Sequence, residues 1–249
     1  MQPMPTPAKK KAPPKTAGRP AGGAALTKQR IAEAALAQID ELGLGAFSMR
    51  ELAARLEVYP ATVHWHVSTR EALLAEVAAT VMAQVAPPSG KLAWQAWIAE
   101  LFRRCRAAVR QHPNVAQLLG AQLVSNGSLP IELVEGVLAA LTEAGFEGEP
   151  LLEAYNCVIA AMLGFLTMEF SPLPADNTQA WAEELRERVH TIRPLDHPVL
   201  TRNLPLLANK AFILRWDNGS TVPLDSSFER HVQMTIDGLE AFARRVRPG

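Results

Sequence analysis

The sequence predicts an all-α chain in two parts, a small three-helix unit over 27–86 and a larger helical bundle over 91–249. Three observations lead there. Apolar residues return at spacings of three and four through most of the chain, as one face of a helix requires. No segment alternates apolar and polar residues for long enough to make a strand. Sharp breaks separate the periodic stretches, the clearest being Pro87-Pro88 and Gly90.

Residues 1–26 precede the first periodic stretch and are rich in Pro, Ala, Gly and Lys. With so little to bury, they are expected to be a disordered basic tail. The net charge of zero, 25 basic against 25 acidic residues, hides an asymmetry: Lys9, Lys10, Lys11, Lys15 and Arg19 give this tail +5, leaving 20 − 25 = −5 on the remainder. A basic arm beside a mildly acidic body suits nucleic acid as a partner. Gly18-Arg19-Pro20 is similar to the triplet of minor-groove arms, but a plain solvated leader has the same composition.

Thr27 is placed to cap a first helix whose buried stripe is Ile31, Ala35, Ile39 and Leu42, and Gly43 ends it. Ser48 and Glu51 then form a capping box, and Met49, Leu52, Ala53 and Leu56 make one face of a second helix apolar. Pro60 fits the first position of a third helix, because its missing N–H is not needed there; Val63 and Val67 are its buried side. Another capping box, Ser68 and Glu71, opens a connecting helix with Leu73, Leu74, Val77 and Val81 inside.

Past the break, Trp94, Trp97, Ile98, Leu101, Phe102, Cys105 and Val109 form the apolar stripe of a long amphipathic helix, opposite a face with Arg103, Arg104, Arg106 and Arg110 that is expected to be solvated. Helices are expected next over 114–123, 129–144 and 149–170. Six prolines, Pro172, Pro174, Pro194, Pro198, Pro205 and Pro223, predict a long loop region over 171–227 in which only 179–191 reads as a helix. Phe228, Val232, Ile236, Leu239, Phe242 and Val246 restore helical spacing at the end. Because 157–166 is apolar nearly all round, with Ala160, Ala161 and Gly164 permitting close approach, a homodimer through 151–170 and 228–246 is expected.

Several classes of function find no support. The longest apolar run, Cys157–Leu166, falls short of the roughly 18–20 residues that span a bilayer, and there is no signal-peptide core. Cys105 and Cys157 lie in apolar helical patterns, which suits reduced, buried thiols and a cytoplasmic protein. No HExxH, G-x-S-x-G, P-loop or Cys–His–carboxylate pattern is present, so no enzyme is expected. His64 and His66 are two apart on a helix and face different ways, a poor metal pair, so neither metal nor cofactor is expected.

Two short helices joined by a tight turn are the helix-turn-helix arrangement, whose second helix enters the DNA major groove. The run ATVHWHVSTREALL, with the helix from Thr27 to Leu42 and the GLGAFS turn after it, resembles the N-terminal domain of TetR-type transcriptional regulators, in the tetracycline repressor branch with its T-x-x-W-H-V core. The resemblance covers Thr27 to Val81 and fades beyond. Glu57 stands where the family usually has a turn glycine, and Tyr59 where a capping residue is usual.

What the resemblance implies is a ligand-responsive repressor with a DNA-binding head and a larger ligand-binding and dimerisation body, leaving a palindromic double-stranded operator when a small organic effector binds. Tyr59, Pro60, Ala61, Thr62 and His64 are expected to face the major groove, and Trp65 and His66 the backbone. Arg50, with Ser48 beside it, is expected to reach a guanine, and Arg70 a phosphate. For the ligand the candidates are Trp97, Leu101, His112, Gln117, Leu118, Gln122, Met162, Phe165 and Met168, each also a plausible core residue. In the tetracycline repressor a histidine holds the drug as a magnesium chelate. Leu118 falls at that place here, so an effector without metal is expected. The alternatives are a TetR-like protein controlled by a partner protein and, remotely, a helical enzyme.

Overall fold

The computed structural model describes residues 25–88, 90–125, 130–174 and 176–246, with the backbone alone over 121–125. Residues 1–24, most of the predicted basic tail, lie outside this description, as does the side chain of Gln122. The described residues contain eleven α-helices, two single 3-10 turns at 44–46 and 113–115, and no strand.

The head is built from α1 (Lys28–Leu42), α2 (Met49–Arg55), α3 (Pro60–His66) and α4 (Arg70–Met82). Thr27 caps α1, its hydroxyl accepting from Arg30 N at 3.2 Å, and Gly43 leaves the helix at φ 78. Ser48 caps α2 by accepting from Glu51 N at 3.5 Å, but the Glu51 carboxylate turns to the buried Gln38, 3.1 Å away, so only half of the expected capping box forms. At α4 the cap is Thr69, accepting from Ala72 N at 3.0 Å, in place of the predicted Ser68. Ile31, Ile39, Leu52, Val63, Leu73 and Val77 are fully buried where the helices meet.

The body comprises α5 (Trp94–Gln111), α6 (Ala116–Ser125), α7 (Ile131–Glu143), α8 (Gly148–Glu169), α9 (Thr178–His190), α10 (Pro198–Leu207) and α11 (Asp225–Val246). Helix α7 comes close to α5 because Gly136 has no side chain: a Cβ there would lie 2.4 Å from the Trp97 ring. The buried apolar residues form one continuous cluster from Ile31 in the head to Ala243 in the body, and α4 packs against α6.

Four expectations need correction. Helix α10 lies inside the predicted loop region, because Pro198 occupies its first position, where no N–H is required, and Pro205 falls in its last turn. Arg106 is not on a solvated face; it is buried against Glu169 of α8. Cys105 is buried, and burial pushes its thiol far above the ordinary range, but Cys157 is exposed on the single chain. Finally, α8 taken as a whole is long and apolar enough to cross a membrane, with mean hydropathy 1.6 over its best window, of which only 28% is buried in the single chain. Leu152, Cys157, Ala160, Gly164 and Met168 make up much of its uncovered side.

Candidate functional site

The turn between α2 and α3 aims the third helix. Val58 N donates to Ala53 O at 3.0 Å and Glu57 N to Ala54 O at 3.1 Å, the paired bonds of a Schellman motif. That motif requires a left-handed residue at its centre, and Glu57 takes it at φ 54. A side chain in this region costs roughly 1 kcal/mol that glycine avoids. Glu57→Gly is therefore expected to raise stability by about 1 kcal/mol and the melting temperature by about 2–4 °C. A thermal melt showing no increase would mean that the Glu57 side chain makes a compensating contact.

Helix α3 is seated by Val63 and Val67, both buried, and Pro60 starts it without a side-chain cap from Tyr59. Its outer surface is open. Tyr59 is 83% exposed and Trp65 82%, and Pro60, Ala61 and His64 are exposed around them. Thr62 and His66 are half-buried, with the His66 ring edge-on to Trp65 at 4.7 Å. Arg50, in the first turn of α2, is exposed and pairs with no described residue, whereas Arg55 in its last turn is bound to Glu41. Arg70 lies over the Phe47 ring at 5.6 Å, and its Nη2 donates to Leu44 O at 3.4 Å, which steadies it beside the end of α1. The Ser48 hydroxyl is engaged as a cap.

Head and body are tied at the C-terminal end of α1. Asp40 Oδ2 lies 2.7 Å from His112 Nδ1. Asn114 donates to Ile39 O at 3.0 Å and Asp40 O at 3.3 Å, satisfying carbonyls that a helix end leaves open. Nothing local marks either contact in the sequence, since the partners are more than seventy residues apart.

Among the described residues, those considered for the ligand fall at several places. His112 lines a cleft of about 400 Å³ between α1, α4 and α5, with Leu36, Thr80, Val81 and Arg104. Gln117 lines another of about 440 Å³, between the 42–46 turn and Phe170–Leu173. Met168, 46% exposed, borders a third of about 290 Å³ beside α9 and Arg215. Leu101, Leu118, Met162 and Phe165 are buried in the core, where Phe165 stacks on His231 at 5.1 Å. Trp97 is also core, its indole N–H donating to Pro87 O at 3.1 Å. Arg215, which borders the third cleft, lies in the proline-rich stretch read as loop.

Residues 31–77 match the family described as "Bacterial regulatory proteins, tetR family", and residues 86–243 the family described as "Tetracyclin repressor-like, C-terminal domain". An HTH-type transcriptional regulator of Saccharopolyspora erythraea is 30% identical over 223 residues, 88% of this chain and 86% of the relative. The class D tetracycline repressor protein of Escherichia coli is 26% identical, over 87% of this chain and 90% of the relative. Among solved structures, BioQ of Mycobacterium smegmatis superposes with a TM-score of 0.63 at 25% identity, covering 88% of this chain and 99% of the other. Apo ActR of Streptomyces coelicolor superposes with 0.68 at 24%, covering 91% and 100%.

Proposed function

Because the chain belongs to the TetR family of bacterial regulatory proteins, we propose that it is a repressor that grips a palindromic operator as a homodimer and leaves it when a small organic molecule binds the body. It is a DNA-binding transcriptional regulator, and its relatives act on transcription. In this reading residues 27–86 form the DNA-contacting head, 91–249 the effector and dimerisation body, and 1–26 a basic arm, in the cytoplasm where the operator lies.

The observation that carries the reading is the outer face of α3. A short helix that buries two valines while holding a tyrosine and a tryptophan more than four-fifths exposed is built to be covered by a partner. Tyr59, Pro60, Ala61, Thr62 and His64 read base edges, Trp65 and His66 lie toward the backbone, and Arg50 and Arg70 supply a base contact and a phosphate contact. A two-fold dimer presents both copies of α3 symmetrically, with half-site centres roughly 34–36 Å apart. Selection from random duplex DNA is expected to return an inverted repeat; a pool without one would overturn the reading.

The uncovered side of α8 supports the homodimer. A helix apolar enough to span a membrane yet ending in the buried Glu169 carboxylate needs an apolar cover, and a second copy of α8 with α11 supplies it. Ala161 is half-buried and its carbonyl accepts from His231 of α11 at 2.9 Å, so a charge there would also disturb the single chain. Ala160 is exposed and is the cleaner probe. Ala160→Glu is expected to give folded monomers by light scattering and to make Cys157 reactive toward a thiol reagent while Cys105 stays protected. If the variant stays a dimer with Cys157 unreactive, the interface lies elsewhere.

Leu118 is apolar and buried where the resemblance places a metal-binding histidine, so these residues do not fit a magnesium chelate, and the effector enters without metal. The effector is to be sought in the body's clefts.

A further inference from the structure

Resting on the reading of Arg50 as a base contact, we propose that Gln38, buried in α1, is a positioning residue for operator recognition. Its hydrogen bond to Glu51 sets the rotation of α2, and with it the place from which Arg50 reaches the DNA.

Helix α2 is only seven residues long and buries two of them, Leu52 and Ala53. Apolar contacts hold it against its neighbours, but they are non-directional, and two such anchors leave its rotation about its own axis weakly determined. Direction has to come from polar contacts. Helix α1 supplies two of these, about one turn apart: Gln38 Nε2 donates to Glu51 Oε2 at 3.1 Å, and Glu41 binds Arg55. Glu41 and Arg55 are both exposed, so water screens their attraction and the pair holds a geometry only weakly. Gln38 is 0% exposed, and its end of the bond is out of reach of water. Arg50 adjoins Glu51 in the same turn, so any rotation of α2 that the Gln38 bond resists is a displacement of Arg50.

The cost of keeping Gln38 in the core points the same way. Its Oε1 is buried and accepts no hydrogen bond. A buried amide with an unsatisfied atom lowers stability, whereas an apolar side chain of the same length among Ile31, Ala32, Ala35 and Ile39 would not. Nor does Glu51 need Gln38 in order to fold: it is exposed, and once released its carboxylate can complete the capping box at Ser48 N. Single buried polar residues lower stability yet fix the mutual placement of two helices in coiled coils, where one asparagine sets the register. Gln38 stands between α1 and α2 in the same relation.

The test uses the full-length protein, as wild type, Gln38→Met, Arg50→Ala, the double variant and Glu51→Gln. Each is titrated by fluorescence anisotropy, at one salt concentration, onto an operator selected from random duplex DNA and onto its single-base changes. Gln38→Met is expected to melt within about 2 °C of the wild type or above it. It is expected to bind the operator about threefold to tenfold more weakly, and to lose discrimination by that factor only at the base pair that Arg50→Ala relaxes. With Arg50 already replaced, Gln38→Met is expected to change affinity by less than about twofold, because the group it misplaces is gone. Glu51→Gln keeps an acceptor for Gln38 and is expected to keep the discrimination. A melting temperature lowered by more than about 2 °C would make Gln38 an ordinary structural residue. Equal losses with and without Arg50, or lost discrimination in Glu51→Gln, would overturn the positioning role as well. If Arg50→Ala relaxes one base pair and Gln38→Met does not, the positioning role alone falls. If Arg50→Ala weakens every sequence alike, the base contact itself falls, and the role of Gln38 with it.

Discussion

Glu169→Ala is expected to destabilise the protein by about 3–5 kcal/mol, lowering its melting temperature by about 6–20 °C at fixed protomer concentration. The carboxylate is 0% exposed and accepts three hydrogen bonds, two from Arg106 and one from Leu224 N. Its removal leaves Arg106 buried over the Phe228 ring at 4.5 Å, with only the more exposed Asp225 at 2.8 Å to balance it. It also leaves Arg215 without the nearest buried negative charge. The cost is that of an uncompensated buried cation and not of the attraction itself, so a double variant, Arg106→Met with Glu169→Leu, is expected to cost less than Glu169→Ala alone. Chemical denaturation of the three proteins measures both. A loss below about 1 kcal/mol in Glu169→Ala would show that solvent reaches the pair as it reaches surface ion pairs.

Arg50→Ala is expected to weaken operator binding by about 1–3 kcal/mol at each half-site, hence about 2–6 kcal/mol over a two-fold operator, and to relax preference at one base pair per half-site. Its guanidinium is free to make this contact, being exposed and unpaired among the described residues, while Arg55 one turn on is held by Glu41. Binding measured against a set of single-base operator changes distinguishes the roles. A uniform loss across all of them would place Arg50 on a phosphate and move base reading to Thr62 and its neighbours on α3.

The head was legible in the sequence because its determinants are local. A hydroxyl before a helix, a proline at its first position and valines four apart each act within one turn, and the chain obeys them at Ser48, Pro60 and Val63–Val67. Even the misplaced cap at α4 is a choice between adjacent hydroxyls, Ser68 and Thr69. The body was less legible because its determinants are long-range. Arg106 looks like the three other arginines of its helix until Glu169, sixty-three residues later, comes to meet it. His112, read as a ligand candidate, also meets Asp40 of α1 at 2.7 Å, a contact no local pattern announces. Prolines misled at α10 because the same residue opens helices and breaks them, and only position decides. Arg215 had no periodic pattern to belong to.

The unbroken buried cluster from Ile31 to Ala243 bears on how such a protein can diversify. A graft that joined this head to a foreign body near Val85 would bring α4 against a surface not shaped for it, in place of α6. Mismatched packing costs about 1–3 kcal/mol for each misfit position, a sizeable share of a margin of about 5–15 kcal/mol. Recombination between relatives is thus penalised at this seam. Single substitutions at solvent-facing positions, such as Tyr59 and Ala61 on α3 and its cap, leave the shared interior untouched.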